Sequence, residues 1–266
     1  MITYRATLDV PADTVAQVSR WLSAHRKLTD RAPWQRAATP YVQAVMVLRW
    51  FKERTDMRVL ARDGGVSIAT AYRYLHEGID VIAAHAPHLH DVLHDGAEQG
   101  WEFVCLDGTL ISSTRSSARS EAGHDVWYSG KHQQHGGNIQ VLADPTGYPV
   151  WVSPVEPGST HDITAAREHV LPALYPAAAA GLPTLTDKGY VGAGIGIQVP
   201  TKGHNLHADN ETRNALISAL RAPAERANAL LKRTWRALER VTLDPWRIGA
   251  ITAAAVVLLH LQKPNR

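Results

Sequence analysis

The sequence predicts an α/β fold: a small all-helical unit over residues 1–95, then a mixed β-sheet carrying helices over residues 96–266. Three observations predict it. Apolar residues recur at helical spacing through the first third of the chain, the mark of amphipathic helices. From Trp101 onward the pattern changes to short apolar runs bounded by turn residues, the mark of strands. The composition, 45% hydrophobic and 20% charged over 266 residues, is that of an ordered globular chain long enough for one large domain or a small one plus a large one.

The helical part reads as four segments. Residues 14–24 carry Val15, Val18, Trp21 and Leu22 at helical spacing. A loop with Pro33 and Pro40 follows, and residues 41–52 carry Val42, Val45, Met46, Leu48 and Trp50. Asp56 is placed to cap a helix over residues 57–63, and Gly64-Gly65 breaks it. Ser67 is placed to cap residues 68–78, which contain Ala71, Tyr72 and Leu75. Helix, glycine turn and helix make a helix-turn-helix, in which the second helix enters the major groove. Thr70, Arg73 and Tyr74 are then the side chains expected to face DNA, although the same spacing also builds a plain helical bundle.

The second part reads as strand over residues 103–111, strand over 137–142, the turn Asp144-Pro145-Thr146-Gly147, and strand over 149–155 pairing back as a hairpin. A helix over 164–174, short strands over 184–186 and 195–199, and helices over 210–221, 225–240 and 246–262 complete it. That order of elements is the order of a ribonuclease H-like fold.

Several function classes are excluded or left without support. The single cysteine, Cys105, permits neither an internal disulfide framework nor a cysteine-rich zinc site. Its apolar flanks read as burial. The 14 histidines are dispersed and form no metal-ligand cluster in sequence. The longest apolar run, residues 248–261, falls short of the roughly 20 residues a membrane span needs, so it predicts a buried helix. Residues 1–10 do not read as a secretory leader, and a cytosolic protein with no membrane partner is expected. A formal net charge of +3 permits nucleic-acid binding without requiring it.

The acidic residues carry the chemistry. Asp107 stands within an apolar strand, where a carboxylate is costly unless paired or bound to metal, and Gly108 beside it leaves room for a close ligand. Asp107 reads equally as the cap of a strand end. Asp187 follows the strand at 184–186. The carboxyl ends of neighbouring strands face one crevice, so Asp187 is expected to converge on Asp107, and it can serve the Asp-Lys-Gly turn as well. Glu225 shares a helical face with Ala229, Lys232 and Arg236, against an apolar face of Ala227, Leu231, Thr234 and Leu238. A carboxylate beside a basic stripe suits a metal site approached by phosphate, or an ordinary solvated face. Asp162 reads as a further metal ligand or as the cap of the helix after it. Pro223, two residues ahead of Glu225, places Glu225 in a first helical turn. Three carboxylates from distant segments can hold two divalent ions, and all-oxygen ligation favours Mg²⁺ or Mn²⁺. His132 and His135 lack a matched third zinc ligand, and Lys131 between strands is read as a phosphate contact, with Lys188, Lys232 and Arg236 as further cations facing DNA.

These pieces, in order, resemble the insertion-sequence transposases of the DDE superfamily, in the branch related to Harbinger-like transposases. The matching residues are Leu106-Asp107-Gly108-Thr109, Tyr128-Ser129-Gly130-Lys131-His132, Gly137-Asn138-Ile139-Gln140-Val141, Pro157-Gly158-Ser159-Thr160-His161-Asp162, Asp187-Lys188-Gly189-Tyr190, Glu225-Arg226-Ala227 and Leu231-Lys232. The resemblance implies a ribonuclease H-like catalytic domain behind a helix-turn-helix. It implies a catalytic triad of Asp107, Asp187 and Glu225, with Asp162 as a further metal ligand. It also implies dependence on Mg²⁺ or Mn²⁺, cleavage at terminal inverted repeats, strand transfer into target DNA, and assembly as a dimer or larger on DNA.

Overall fold

The computed structural model describes residues 7–29 and 35–262; the part of the expected loop around Pro33 lies outside them. Helix α1 (Ala12–Leu28) buries Val15, Val18 and Leu22 along one stripe. Helix α2 (Pro40–Glu53) starts where the Thr39 side chain accepts from the Val42 N–H, with Pro40 at the position that needs no donor. Helix α3 (Met57–Asp63) is capped by Asp56, which accepts from the Arg58 N–H, and α4 (Ile68–Ala83) by Ser67, which accepts from Thr70 N–H. Gly65 between them sits at φ 64°, a left-handed turn that glycine adopts without strain.

Helix α4 corrects one expectation. Its inward stripe is Ala71, Tyr74, Leu75, Gly78, Ile79 and Ile82, so Tyr74 is buried at 3% exposure while Tyr72 is 41% exposed. Tyr74 packs under two guanidinium groups, Arg26 at 5.7 Å and Arg36 at 5.4 Å from its ring centre, and its hydroxyl accepts from the Ala38 N–H. It therefore cannot read DNA. Arg73 is exposed, and its guanidinium donates to the Thr70 hydroxyl at 3.0 Å.

Helix α5 (Leu89–Glu98) was not expected, and the division anticipated at residues 95/96 falls inside it. Helices α1 to α4 contribute to one hydrophobic cluster that also takes in Ala227, Leu231, apolar residues between Ile248 and Leu259, and one face of the sheet.

The sheet comprises β1 (Val104–Ser112), β2 (Tyr128–Ser129), β3 (Gln134–Ala143), β4 (Pro149–Val152), β5 (Glu156–Pro157), β6 (Thr184–Leu185) and β7 (Ile197–Gln198). Its order is β2-β3-β1-β6-β7, with β4 and β5 also paired to β3. β1 runs antiparallel to β3 and parallel to β6, and β6 parallel to β7, so the sheet is mixed, compatible with a ribonuclease H-like domain. The β3–β4 hairpin closes at Asp144, whose carboxylate accepts from Thr146 N–H and Tyr148 N–H.

One expected helix is two: α6 (Asp162–His169) and α7 (Leu171–Ala179), separated at Val170, with Pro172 in the first turn of the second. After α8 (Ala208–Arg221) comes α9 (Glu225–Thr234), shorter than the expected 225–240. Trp235 takes an extended backbone and is fully buried, edge-on to Phe51, and a 3-10 turn (Arg236–Glu239) follows. Tucking this large ring into the core turns the chain out of its helix. Helix α10 (Ile248–Gln262) is apolar all round and buried in the shared cluster. No helix among the described residues is long and apolar enough to cross a membrane.

Candidate active site

Strand β1 organises the site because its two faces differ. Cys105 and Ile111 belong to the hydrophobic cluster of the α9 side, Val104 and Leu106 to the cluster of the α6–α7 side. Side chains alternate along a strand, so Asp107 and Thr109 face α9, while Gly108 and its cross-strand partner Gln140 face α6.

On the α9 face, the Asn228 amide donates to Asp107 Oδ2 at 2.7 Å, and the Arg221 guanidinium lies 4.0 Å from Asp107 Oδ1. The Asp107 pKa is raised to about 6, first by burial and then by the negative charges of Asp187 and Asp162, with Arg221 and Lys131 opposing. Parallel pairing sets Val104 beside Thr184 and Cys105 beside Leu185. Extending that register by two residues puts Asp187 beside Asp107. Asp187 is held by its own turn, accepting from Gly189 N–H at 2.8 Å at the head of a 3-10 turn (Lys188–Tyr190).

On the α6 face, Gly108 is open for a reason. A Cβ there would stand 2.5 Å from Asp162 Oδ1, so the carboxylate of Asp162 occupies the space that a side chain would fill. Asp162 does not cap α6; it is the first residue of the helix, after His161. Its Oδ1 accepts from the Asn138 amide at 2.8 Å and its Oδ2 from Lys131 Nζ at 2.9 Å. The Lys131 amine is thus engaged with a carboxylate, which holds its pKa above the ordinary value. A cleft of about 150 Å³ opens beside this pair, lined by Gly130, Lys131, His132, Asn138 and Thr160.

Three of the expected acids therefore act on one another: Asp107, Asp162 and Asp187. Glu225 does not join them. It is exposed at the first position of α9, as Pro223 in the preceding turn implied, and makes no hydrogen bond or ion pair among the described residues. It lies one helical turn before Asn228, the residue that touches Asp107.

The basic stripe expected on α9 is corrected. Lys232 turns inward: Nζ donates to Thr109 Oγ1 at 2.8 Å and to the Leu110 carbonyl at 3.1 Å, and burial lowers its pKa. Arg236 lies beyond the end of α9, exposed and 3.7 Å from Glu239 Oε1. Lys188 is exposed beside Asp187. His135 lies 3.6 Å from Asp125 and His132 is exposed, so they share no third ligand.

The residues suit a hard divalent cation in chemistry rather than in present arrangement. The donors are oxygen throughout, the negative charges of Asp187 and Asp162 raise the proton affinity of Asp107, and Asn228 Oδ1 is buried beside Asp107 with no hydrogen-bond partner. Yet among the described residues no three His, Cys, Asp or Glu side chains gather closely enough to hold a metal ion.

Residues 106–260 match the family model of the DDE superfamily endonucleases. The chain belongs to that family. No match was found among curated proteins. The DDE endonuclease region thus begins on β1 beside Asp107 and ends within α10, enclosing all four expected acids. In this DDE endonuclease, sequence reasoning missed Arg221 and Asn228, the two groups on Asp107. Asn228 had a signal in its spacing, since residues 225, 228 and 232 share one face of α9; Arg221, at the end of the preceding helix, had none. It also gave no role to Asn138 and Gln140, two amides in an otherwise apolar buried strand.

Proposed function

We propose that the chain is an insertion-sequence transposase that cuts DNA at the terminal inverted repeats of its element and joins the freed 3′ ends to target DNA. The observation that carries this reading is that Asp107 on β1 and Asp187, two residues past the parallel-paired β6, are close enough for the Asp187 charge to raise the proton affinity of Asp107. Asp107, Asp187 and Glu225 are the proposed catalytic acids, and Asp162 the fourth ligand. These residues would hold Mg²⁺ or Mn²⁺, as two ions, which when bound would activate the attacking oxygen and stabilise the leaving one.

The protein's own part is orientation. Asn228 fixes the Asp107 carboxylate, and Asn138 with Lys131 fixes that of Asp162. Lys131, Lys188 and Arg236 are proposed to meet DNA phosphates, with Lys131 leaving Asp162 for the backbone. Helix α4, with exposed Arg73 beside Thr70, is the proposed reader of the element ends within a DNA-binding unit over residues 1–95. The working form is a homodimer or larger assembly on DNA, in the cytoplasm at the nucleoid.

The test incubates the protein with DNA bearing the element ends, with Mg²⁺ or chelator, beside Asp107→Asn. Metal-dependent nicking that falls roughly a thousandfold or more in the variant, about 4 kcal/mol of transition-state stabilisation, supports the reading. Equal nicking by the variant overturns it. A second reading, a DNA-binding protein without catalysis, is favoured by Arg221 and Lys131 standing where cations would otherwise sit. It requires element-end binding with no nicking in Mg²⁺ or Mn²⁺.

A further inference from the structure

Behind Asp162 runs a chain of buried side-chain hydrogen bonds that none of the acids begins. The Tyr190 hydroxyl donates to Gln140 Oε1 at 2.6 Å. The Gln140 amide donates to Asn138 Oδ1 at 3.0 Å, and the Asn138 amide donates to Asp162 Oδ1 at 2.8 Å and to the Thr160 carbonyl at 3.0 Å. Tyr190 and Gln140 are fully buried and Asn138 is 5% exposed, so no water competes for these groups.

The chain has a direction. Asn138 Oδ1 is taken by Gln140, so Asn138 can present only N–H to Asp162; the flipped amide would set its oxygen against the Asp162 carboxylate and the Thr160 carbonyl, and its N–H against the Gln140 N–H. Gln140 is oriented the same way, since its Oε1 is taken by Tyr190. A row of amides aligned in this sense places its positive end on Asp162, and such a network in a low-dielectric interior holds its geometry firmly. At its other end, Tyr190 closes the 3-10 turn that Asp187 heads. One set of side chains therefore ties together the two acids that flank β1 from different elements, Asp162 on α6 and Asp187 after β6.

We propose that Asn138, Gln140 and Tyr190 are positioning residues that hold the carboxylate of Asp162 and the Asp187 turn in fixed relation, and so set the affinity of the site for a divalent metal without touching the metal. This rests on the reading of these acids as metal ligands.

The experiment measures Mn²⁺ binding by paramagnetic titration on the full chain. It compares the wild type with Tyr190→Phe, which removes only the hydroxyl, and Gln140→Met, which keeps the side-chain length. Solvent exchange of the Asn138 side-chain amide protons is read by NMR without metal. Loss of outer-sphere partners of this kind weakens metal binding about tenfold to a hundredfold. That loss is expected in both variants, with faster exchange at Asn138, and a rise in the Mn²⁺ concentration for half-maximal cleavage that exceeds the fall in maximal rate. Ile139→Ala, fully buried on the opposite face of the same strand, is the control: it lowers the melting temperature and leaves Mn²⁺ affinity in place. The proposal is overturned if both variants bind Mn²⁺ within about twofold of wild type, or if affinity merely follows melting temperature as in the control. A wild type that binds Mn²⁺ but never cuts DNA overturns the transposase reading while the binding comparison still decides the positioning role. A wild type that binds no Mn²⁺ overturns both.

Discussion

The two faces of β1 treat their acids in opposite ways. On the α9 face Asp107 is partly buried among apolar neighbours, with one neutral donor, Asn228, in hydrogen-bond range, and its pKa rises to about 6. On the α6 face Asp162 has two donors, one of them the Lys131 ammonium, and sits over a glycine. The difference lies in partners as well as depth: burial raises the proton affinity of Asp107, while the Asp162 carboxylate is met by an ammonium and an amide. The nearest cation to Asp107 is the Arg221 guanidinium at 4.0 Å, whereas Asp162 has the Lys131 ammonium at 2.9 Å.

Four substitutions sharpen or break this contrast. Asn228→Leu removes the one hydrogen-bond donor on Asp107 among the described residues and is expected to cost about 3 kcal/mol at neutral pH, since a partly buried charged acceptor loses its donor. Chemical denaturation measures it, and a loss that persists in an Asp107→Ala background would show that Asn228 acts elsewhere. Gly108→Ala pushes a methyl group against Asp162 Oδ1 and should cost about 2 kcal/mol of overpacking, in the same assay. A neutral result would mean that Asp162 moves freely and that the close approach has no consequence.

Asp107→Asn tests the sign of the pH dependence. The folded-state pKa of Asp107, about 6, lies above its ordinary 3.8. Between those values the folded chain binds the proton more tightly than the unfolded one, so this group favours folding at low pH and its contribution is lost as pH rises through about 6. Above that pH the metal-free variant should melt roughly 2–4 °C higher than wild type, the shift from about 1 kcal/mol after allowing for partial solvation. The gap should close as pH falls toward 4. A gap independent of pH would show that Asp107 is not the group responsible. Lys131→Ala is expected to do least, under about 0.5 kcal/mol, because its ammonium is largely exposed and Asn138 still holds Asp162. A larger loss would mean that the ion pair, and not the amide chain, orients Asp162.

Much of this arrangement was legible in the sequence where the signal is local. Asp56, Ser67 and Gly65 set the limits of α3 and α4 through caps and a left-handed turn, which need only neighbouring residues. The run through Asp107 and the Asp144 turn marked β1 and the hairpin for the same reason. Helix α5 was assigned to no element in the sequence although Leu89, Val92 and Leu93 stand at helical spacing. Gly96 is packed under the Trp101 ring, a contact that only folding reveals. β2 and β5, of two residues each, are too short for any periodicity to register.

The identity and order of the acids, the family and the first-turn position of Glu225 follow from the chain itself, because motif order and proline stereochemistry are local properties. Tertiary structure alone decided the rest. It turned Tyr74 inward, since which face of an amphipathic helix is buried depends on what packs against it. It drew Lys232 onto β1 and ended α9 at Thr234, where Trp235 takes an extended backbone and is fully buried. It also set Asp162 over Gly108 and joined it through Asn138 and Gln140 to Tyr190, a contact 50 residues apart in the chain between the last two. No local pattern encodes such a meeting; it exists only because β3 is hydrogen-bonded beside β1.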